Sequence, residues 1–450
     1  MGNPHVLVIP FPAHGHITPL LELSQQLVHD HGIKVTFVIT EDNRQRVMHS
    51  LATSDGIESQ IRLVSIPEDG PKSQETLFEE HAFSSLSEKV KQLSEQINAS
   101  DSDKITCIVA DFLLGWGMQM AAERGVKGVV FSGNMASGLV LISKIPNLID
   151  DGIIDDDGNV TKKEMIKLSP TMPPMSSSHF PWASLGNPKL QKLFFEHASK
   201  NNESLKVADW VLCNSAYELE PETFETEPKI RPIGPLLGSL SNQLSTNSRP
   251  EDSICLEWLD QQPPQSVIYV AFGTTTFLNQ TEFEELALGL ELCNRPFLWV
   301  VRSDITENLK DAYPDGFEER VGSRGLMTSW SPQKNVLAHP SIACFLFHCG
   351  WNSALEALSN GIPLLCWPTF ADQFQNENYI CNVWKIGLRF DRDHGKIITR
   401  QEIKNKVEEL LSNEMYKANA LVLKEKLINT IKETGRSYNN LKGFVEWVKE

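Results

Sequence analysis

The chain has no basic excess. Its 450 residues carry 41 Lys and Arg against 58 Asp and Glu, a net charge of −17. That sign excludes a nucleic-acid footprint or an anionic membrane surface as partner. It does not exclude an anionic small ligand, because helix termini bind phosphate without net positive charge. No apolar run approaches the roughly 18–20 residues needed to cross a bilayer, so no membrane span is expected. The opening residues run almost directly into "HVLVIPF" with no basic n-region or cleavage site, and a cytoplasmic location is the expectation. The eight cysteines (107, 213, 255, 293, 344, 349, 366 and 381) form no CxxC pair. Several lie in apolar runs such as "ITCIVADF", and they read as buried free thiols of a reducing compartment. Missing too are GxxxxGK[ST], a GxGxxG after the first strand, and any G-x-S-x-G. P-loop, dinucleotide-binding and nucleophile-elbow hydrolase readings therefore lose support.

What is present is a repeating strand-then-helix pattern in a chain that is 41% hydrophobic and 22% charged, the balance of a globular protein. The length exceeds one ordinary core and predicts two domains. "HVLVIP" and "IKVTFVIT" read as strands around a helix, with Thr18 as N-cap, Pro19 at N1 and Gly32 closing it. The strands are continuously apolar, which implies a parallel sheet covered on both faces. "SPTMPPMSSSHFPW" (169–182) reads as a long irregular loop and "DDDGN" (155–159) as an acidic turn, not a calcium loop. The polar stretch 238–252 is the best linker, and the pattern restarts at "QSVIYVAFG", followed by a helix with Thr281 and Glu284 as capping box. The expected domains are 1–237 and 253–430, with a short amphipathic helix at 431–450. Two doubly wound halves should face each other across a cleft, with ligands outside the carboxyl ends of the strands.

The most informative stretch is "FHCGWNSALEALSNGIPLLCWPTFADQ" (347–373), a strand that turns at Gly350 into a helix. A helix N-terminus offers unpaired N–H groups and about half a positive charge. Gly350 lets the backbone approach closely, Asn352 and Ser353 add side-chain donors, and His348 ends the strand beside them. Together they read as a pyrophosphate cradle containing no Lys or Arg, although Asn352 or Ser353 taken alone reads better as a helix cap. Trp330 in "WSPQ" suits stacking on a base. Glu356 suits two ribose hydroxyls, and Asp372 with Gln373 suits adjacent sugar hydroxyls. No DxD-like metal motif lies nearby, so neither a metal nor any other cofactor is expected.

The segment Trp330 to Gln373 resembles the signature box of plant UDP-sugar-dependent glycosyltransferases that act on small molecules. The likeness extends over essentially the whole chain and implies the α/β fold called GT-B, two Rossmann-like domains. It implies that Trp330 stacks on uracil with Ser331 and Gln333 at the uridine, and that Glu356 holds the ribose. His348, Asn352 and Ser353 would hold the pyrophosphate, and Trp351, Asp372 and Gln373 would meet the sugar. Gln373 at the end of the box goes with glucose as donor sugar. Thr274 and Thr276 in "FGTTTF" look like a phosphate-facing hydroxyl loop, where Ser is commoner at the first position. Phe347 and Ala354 stand where Thr is frequent.

The acid–base pair comes from the first half. "PAHGHITP" offers His14 and His16, and His16 stands just before the expected helix, a position that should lower its pKa and keep the imidazole neutral. The family's general base follows a Gly, here Gly15, and Asp111 at the end of "ITCIVAD" is the matching carboxylate, unless it merely caps the next helix. The implied reaction is inverting transfer of glucose from UDP-glucose to a hydroxyl of a small lipophilic acceptor (phenolic, flavonoid or terpenoid), giving a β-glucoside. The protein would act as a monomer. Another UDP-hexose donor, or a non-catalytic nucleotide-sugar-binding protein, are the alternatives. "FLLGWGM", "FSGNMASG" and the 169–182 loop supply either the acceptor pocket or core.

Overall fold

Continuous apolar strands dictate the architecture. The computed structural model describes residues 4–52, 61–67, 80–100, 103–237, 250–274, 276–306 and 312–450. They divide into two compact units, Met1–Asn247 with Phe370–Asp372 and Asn429–Glu450, and Ser248–Thr369 with Gln373–Ile428. Residues 238–249 of the expected linker lie outside the described residues, and Pro250 opens a helix, Pro250–Asp260.

The first unit holds a seven-stranded sheet. In chain order its strands are β1 (His5–Ile9), β2 (Lys34–Thr40), β3 (Ile61–Ile66), β4 (Cys107–Asp111) and β5 (Lys127–Ser132), then β8 (Trp210–Cys213) and β9 (Ile230–Pro232). Between them β6 (Met165–Ile166) and β7 (Met175–Ser176) form a separate antiparallel pair. The order across the large sheet is β3-β2-β1-β4-β5-β8-β9, every pairing parallel. β1 and β4 are buried at every position, as a sheet covered on both faces requires. Chain direction across the sheet reverses between β1 and β4, where Ile9 lies opposite Ala110. That is the switch point at which ligands bind in doubly wound sheets.

The second unit repeats the scheme with β10 (Val267–Ala271), β11 (Phe297–Val300), β12 (Gly325–Thr328), β13 (Ile342–Phe347), β14 (Leu364–Cys366) and β15 (Gly387–Arg389). Their order is β12-β11-β10-β13-β14-β15, again all parallel. Its switch point lies between β10 and β13, and both strands are wholly buried.

The last helix, Arg436–Lys449, belongs to the first unit. Its Phe444, Val445 and Val448 enter the core around β1 and β2, and Phe444 and Trp447 pack on Trp210. Ser437 Oγ donates to the Gly234 carbonyl at 2.6 Å and Asn440 Nδ2 to that of Pro232 at 2.8 Å.

The structure corrects some local expectations and agrees with others. The first helix runs His14–His29 with Ala13 as N-cap, so Pro19 lies inside it rather than at N1. Pro19 has no N–H to give the Gly15 carbonyl. Gly133 leaves room there, since a Cβ on it would stand 2.8 Å from Pro19 Cγ and 3.5 Å from the Gly15 oxygen. The capping box sits two residues earlier than expected, on Asn279 and Glu282. The 169–182 stretch is tied down by β7 and a short 3₁₀ turn, and Met172, Phe180 and Trp182 are core. The same holds for Phe112, Leu113, Leu114 and Met118, and Met135 is buried as well. Asp155 accepts from the main-chain N–H groups of Asp157 and Asn159, which makes 155–159 an acidic turn. All eight cysteines are free, seven of them buried and Cys381 half-buried. Among the described residues no helix is long and apolar enough to cross a membrane.

Candidate active site

Adjacent strand ends bring His16 and Asp111 together across 95 positions of sequence. His16 Nδ1 lies 2.8 Å from Asp111 Oδ2. The carboxylate is fully buried and the imidazole 16% exposed. Asp111 does not cap the following helix, whose N-cap is Gly115. Its other oxygen instead accepts the Leu113 N–H at 3.0 Å, which fixes the carboxylate plane. Phe11 meets the imidazole edge-on, with ring centres 5.2 Å apart, and Phe112 stacks on it at 6.0 Å.

The electrostatics reverse the expectation for His16. Burial pushes its pKa down, but the charge and hydrogen bond of Asp111, joined by the charge of Asp372, outweigh that and leave it above the ordinary histidine value. The residue lies in the first turn of the helix, yet two carboxylates dominate the helix dipole. With Nδ1–H donated to Asp111, Nε2 is the proton-accepting nitrogen.

In the second unit the sharp turn after β13 builds a different site. Helix Trp351–Asn360 has Gly350 as N-cap with no side-chain capping bond, so neither Asn352 nor Ser353 serves as the cap. Cys349 adopts φ 65°, the left-handed region that non-glycine residues rarely occupy. His348 is wedged between two glycines. A Cβ on Gly273 would stand 2.7 Å from its Cε1, and one on Gly350 would stand 2.3 Å from its Nε2. Burial, helped by the charge of Arg302, lowers the His348 pKa to about 4. The side chain is therefore neutral at physiological pH.

A hydrogen-bond chain, buried at Tyr269 and Ser331 and half-buried beyond, spans the stretch expected to hold the uridine. Tyr269 OH lies 2.8 Å from Ser331 Oγ. Gln333 Nε2 donates to Ser353 Oγ at 3.0 Å and to Glu356 Oε2 at 2.8 Å. These bonds fix which way the Gln333 amide points. Burial raises the Glu356 pKa, against the pull of Lys334 and the Gln333 bond. Trp330 is 40% exposed beside this chain, an unusual exposure for an indole. The Trp351 indole, in contrast, is buried against Trp384, so its main chain is the part at the helix terminus.

Thr274 is exposed at the end of the loop after β10, whereas Thr276 is buried, its hydroxyl 3.4 Å from that of Thr369. Gln373 is buried, and its amide oxygen accepts from the Thr369 N–H at 2.8 Å and hydroxyl at 3.0 Å. Asp372 clusters with the first unit and Gln373 with the second.

Sequence reading missed three supports of this site. Arg302 follows β11 and binds the carbonyls of Gly273 and Thr276, the latter at 2.9 Å, so a cation does buttress the hydroxyl loop. A lone Arg closing the apolar run "PFLWVVR" was the available signal. Tyr269 inside "VIYVA" carries the only hydroxyl of its strand, and that signal was passed over. Asn376 donates to the Cys349 carbonyl at 2.8 Å, and no local pattern marked it.

Comparison with known proteins decides the family. The family model described as UDP-glucoronosyl and UDP-glucosyl transferase matches residues 199–428. UDP-glycosyltransferase 83A1 of Arabidopsis thaliana is 43% identical over 465 residues, covering 100% of this chain and 97% of the relative. The chain belongs to the plant UDP-glycosyltransferase family. The glycosyltransferase is also similar to solved structures. One is a UDP-glucosyltransferase from Polygonum tinctorium capable of glucosylating indoxyl, in complex with 3,4-dichloroaniline. It has a TM-score of 0.84 and 26% identity, and each chain is covered to 100%. Another is Phytolacca americana UGT2 with UDP-2fluoro-glucose and pterostilbene, at TM-score 0.82, 26% identity and 99% of each chain. The fold is GT-B, with two Rossmann-like domains. The enzyme transfers sugar from a UDP-sugar donor to small-molecule acceptors.

Proposed function

We propose that this glycosyltransferase moves glucose from UDP-glucose to a hydroxyl of a small lipophilic acceptor, phenolic, flavonoid or terpenoid, with inversion to a β-glucoside. The observation that carries the reading is the 2.8 Å bond between His16 Nδ1 and the buried Asp111 carboxylate. It leaves Nε2 as a base stronger than an ordinary imidazole. The acceptor hydroxyl gives its proton to Nε2 while its oxygen attacks the anomeric carbon, and UDP departs from the opposite face. A phenol has a pKa of about 10, so proton transfer accompanies attack rather than preceding it. Asp111 stabilises the imidazolium as it forms.

The leaving diphosphate gains charge against the N–H groups of the Trp351–Asn360 helix, with Asn352, Ser353, the neutral His348 and the Thr274 hydroxyl around it. Thr276 supports that loop from beneath. Trp330 stacks on uracil beside Ser331 and Gln333, Glu356 takes the ribose hydroxyls, and Trp351, Asp372 and Gln373 meet the glucose. The donor part of the reading draws support from the UDP-2fluoro-glucose bound by the Phytolacca protein, and the acceptor part from the pterostilbene bound there and from the Polygonum enzyme's capacity to glucosylate indoxyl. We take the reaction to need no metal, since dipoles and hydroxyls already meet the diphosphate, and the enzyme to act as a cytoplasmic monomer.

The test is a mass-spectrometric acceptor screen with UDP-glucose, with and without EDTA, followed by NMR of any product. The expected result is a β-configured glucoside formed equally well with the chelator present. An α-linked product, or transfer only from another UDP-hexose, would overturn the reading.

A further inference from the structure

The strand-to-helix corner depends on a residue outside it. Cys349 is fully buried and holds φ 65°, a strained backbone state for a non-glycine residue that persists only where its surroundings over-determine it. Phe347 is anchored on one side, its carbonyl accepting the Trp367 N–H at 2.9 Å. On the other side Gly350 opens the helix, and its carbonyl accepts the Ala354 N–H at 3.0 Å. The Cys349–Gly350 peptide lies between these anchors.

Its orientation is set by Asn376. This residue is 1% exposed, sits in the short helix Gln373–Asn378, and donates Nδ2 to the Cys349 carbonyl at 2.8 Å. The peptide is trans and planar, so a carbonyl held toward Asn376 forces the Gly350 N–H to point the opposite way. Among the described residues that N–H meets no protein acceptor. A flipped peptide would turn a carbonyl oxygen toward the diphosphate and repel it.

We propose that Asn376 is a positioning residue for donor binding. It locks the Cys349–Gly350 peptide so that the Gly350 N–H joins the donors of the helix terminus in holding the diphosphate. The inference rests on the reading of the Gly350 corner as the diphosphate cradle.

The experiment is calorimetric titration of the full-length enzyme with UDP and, separately, with uridine. The wild-type enzyme is compared with Asn376→Ala and the isosteric Asn376→Asp, which keeps the volume but loses the donor. The expected result is that both variants bind UDP about tenfold more weakly or worse, while uridine binding stays unchanged. The Asn376→Asp deficit relative to wild type should shrink as pH falls and the carboxyl regains a proton to donate. Should Asn376→Ala fail to fold, Asn376→Asp alone decides. UDP affinity equal to wild type, or a parallel loss for UDP and uridine, would overturn the proposal. Wild-type enzyme binding uridine as tightly as UDP would instead overturn the cradle reading beneath it.

Discussion

One histidine of each unit stands beside its sheet's switch point, His16 in the first turn of the helix after β1 and His348 directly after β13, and their chemistry diverges. His16 is bonded to a buried carboxylate and held above the ordinary imidazole pKa. His348, pressed between Gly273 and Gly350, is driven down to about 4 by burial and Arg302. The first is set up to take a proton. The second can offer a diphosphate only a neutral N–H dipole. A histidine beside a switch point is thus made a base or a neutral donor by what its neighbours carry, carboxylates for His16 and a guanidinium for His348.

The sharpest way to separate the two is to remove each in turn. His16→Ala should lower turnover by roughly 10²–10⁴-fold while UDP affinity, measured by calorimetry, stays at the wild-type value. Retained turnover would transfer the role elsewhere, with His14 the nearest candidate. His348→Ala should do the reverse on a smaller scale. UDP binding should weaken by about 10-fold, as for the loss of one hydrogen bond to a charged group, and the pH dependence of kcat/KM should keep its shape. A changed pH profile in that variant would mean that His348 titrates during turnover, and the contrast between the two residues would fail.

The two corners also differed in how readable they were. Trp330, Glu356 and the 347–373 segment lie within 44 residues, so their spacing alone suggested base, ribose and phosphate partners. His16 and Asp111 lie 95 positions apart. They were paired through the family resemblance, because continuously apolar strands implied a parallel sheet but not that β1 and β4 are neighbours in it. The direction of the His16 shift was misread because the helix was started at Thr18. That left the residue facing a bare dipole, whereas the charge of Asp372, from a distant stretch of chain, reinforces Asp111. Tyr269, Arg302 and Asn376 were illegible for a related reason. Each acts on a backbone carbonyl or on another side chain's orientation, and such bonds leave no periodicity or spacing behind. The Asn279 capping box shows the finer limit. The motif type was right, but two candidate registers two residues apart satisfied it, and packing of Phe283 and Leu286 selected one.

The claim on which the mechanism turns is that an imidazole raised by Asp111 must be unprotonated for transfer. A base with an elevated pKa is active only once pH has climbed through that value. The most direct measurement is therefore the pH profile of kcat/KM, which reports the free enzyme's base, for wild type and Asp111→Asn. The wild-type profile should lose activity on its acid side with a midpoint above 6.5, and Asp111→Asn should shift that midpoint downward as well as reducing the plateau. An acid limb lying below 6.5 in the wild type, or one that stays in place when the carboxylate is neutralised, would contradict the account.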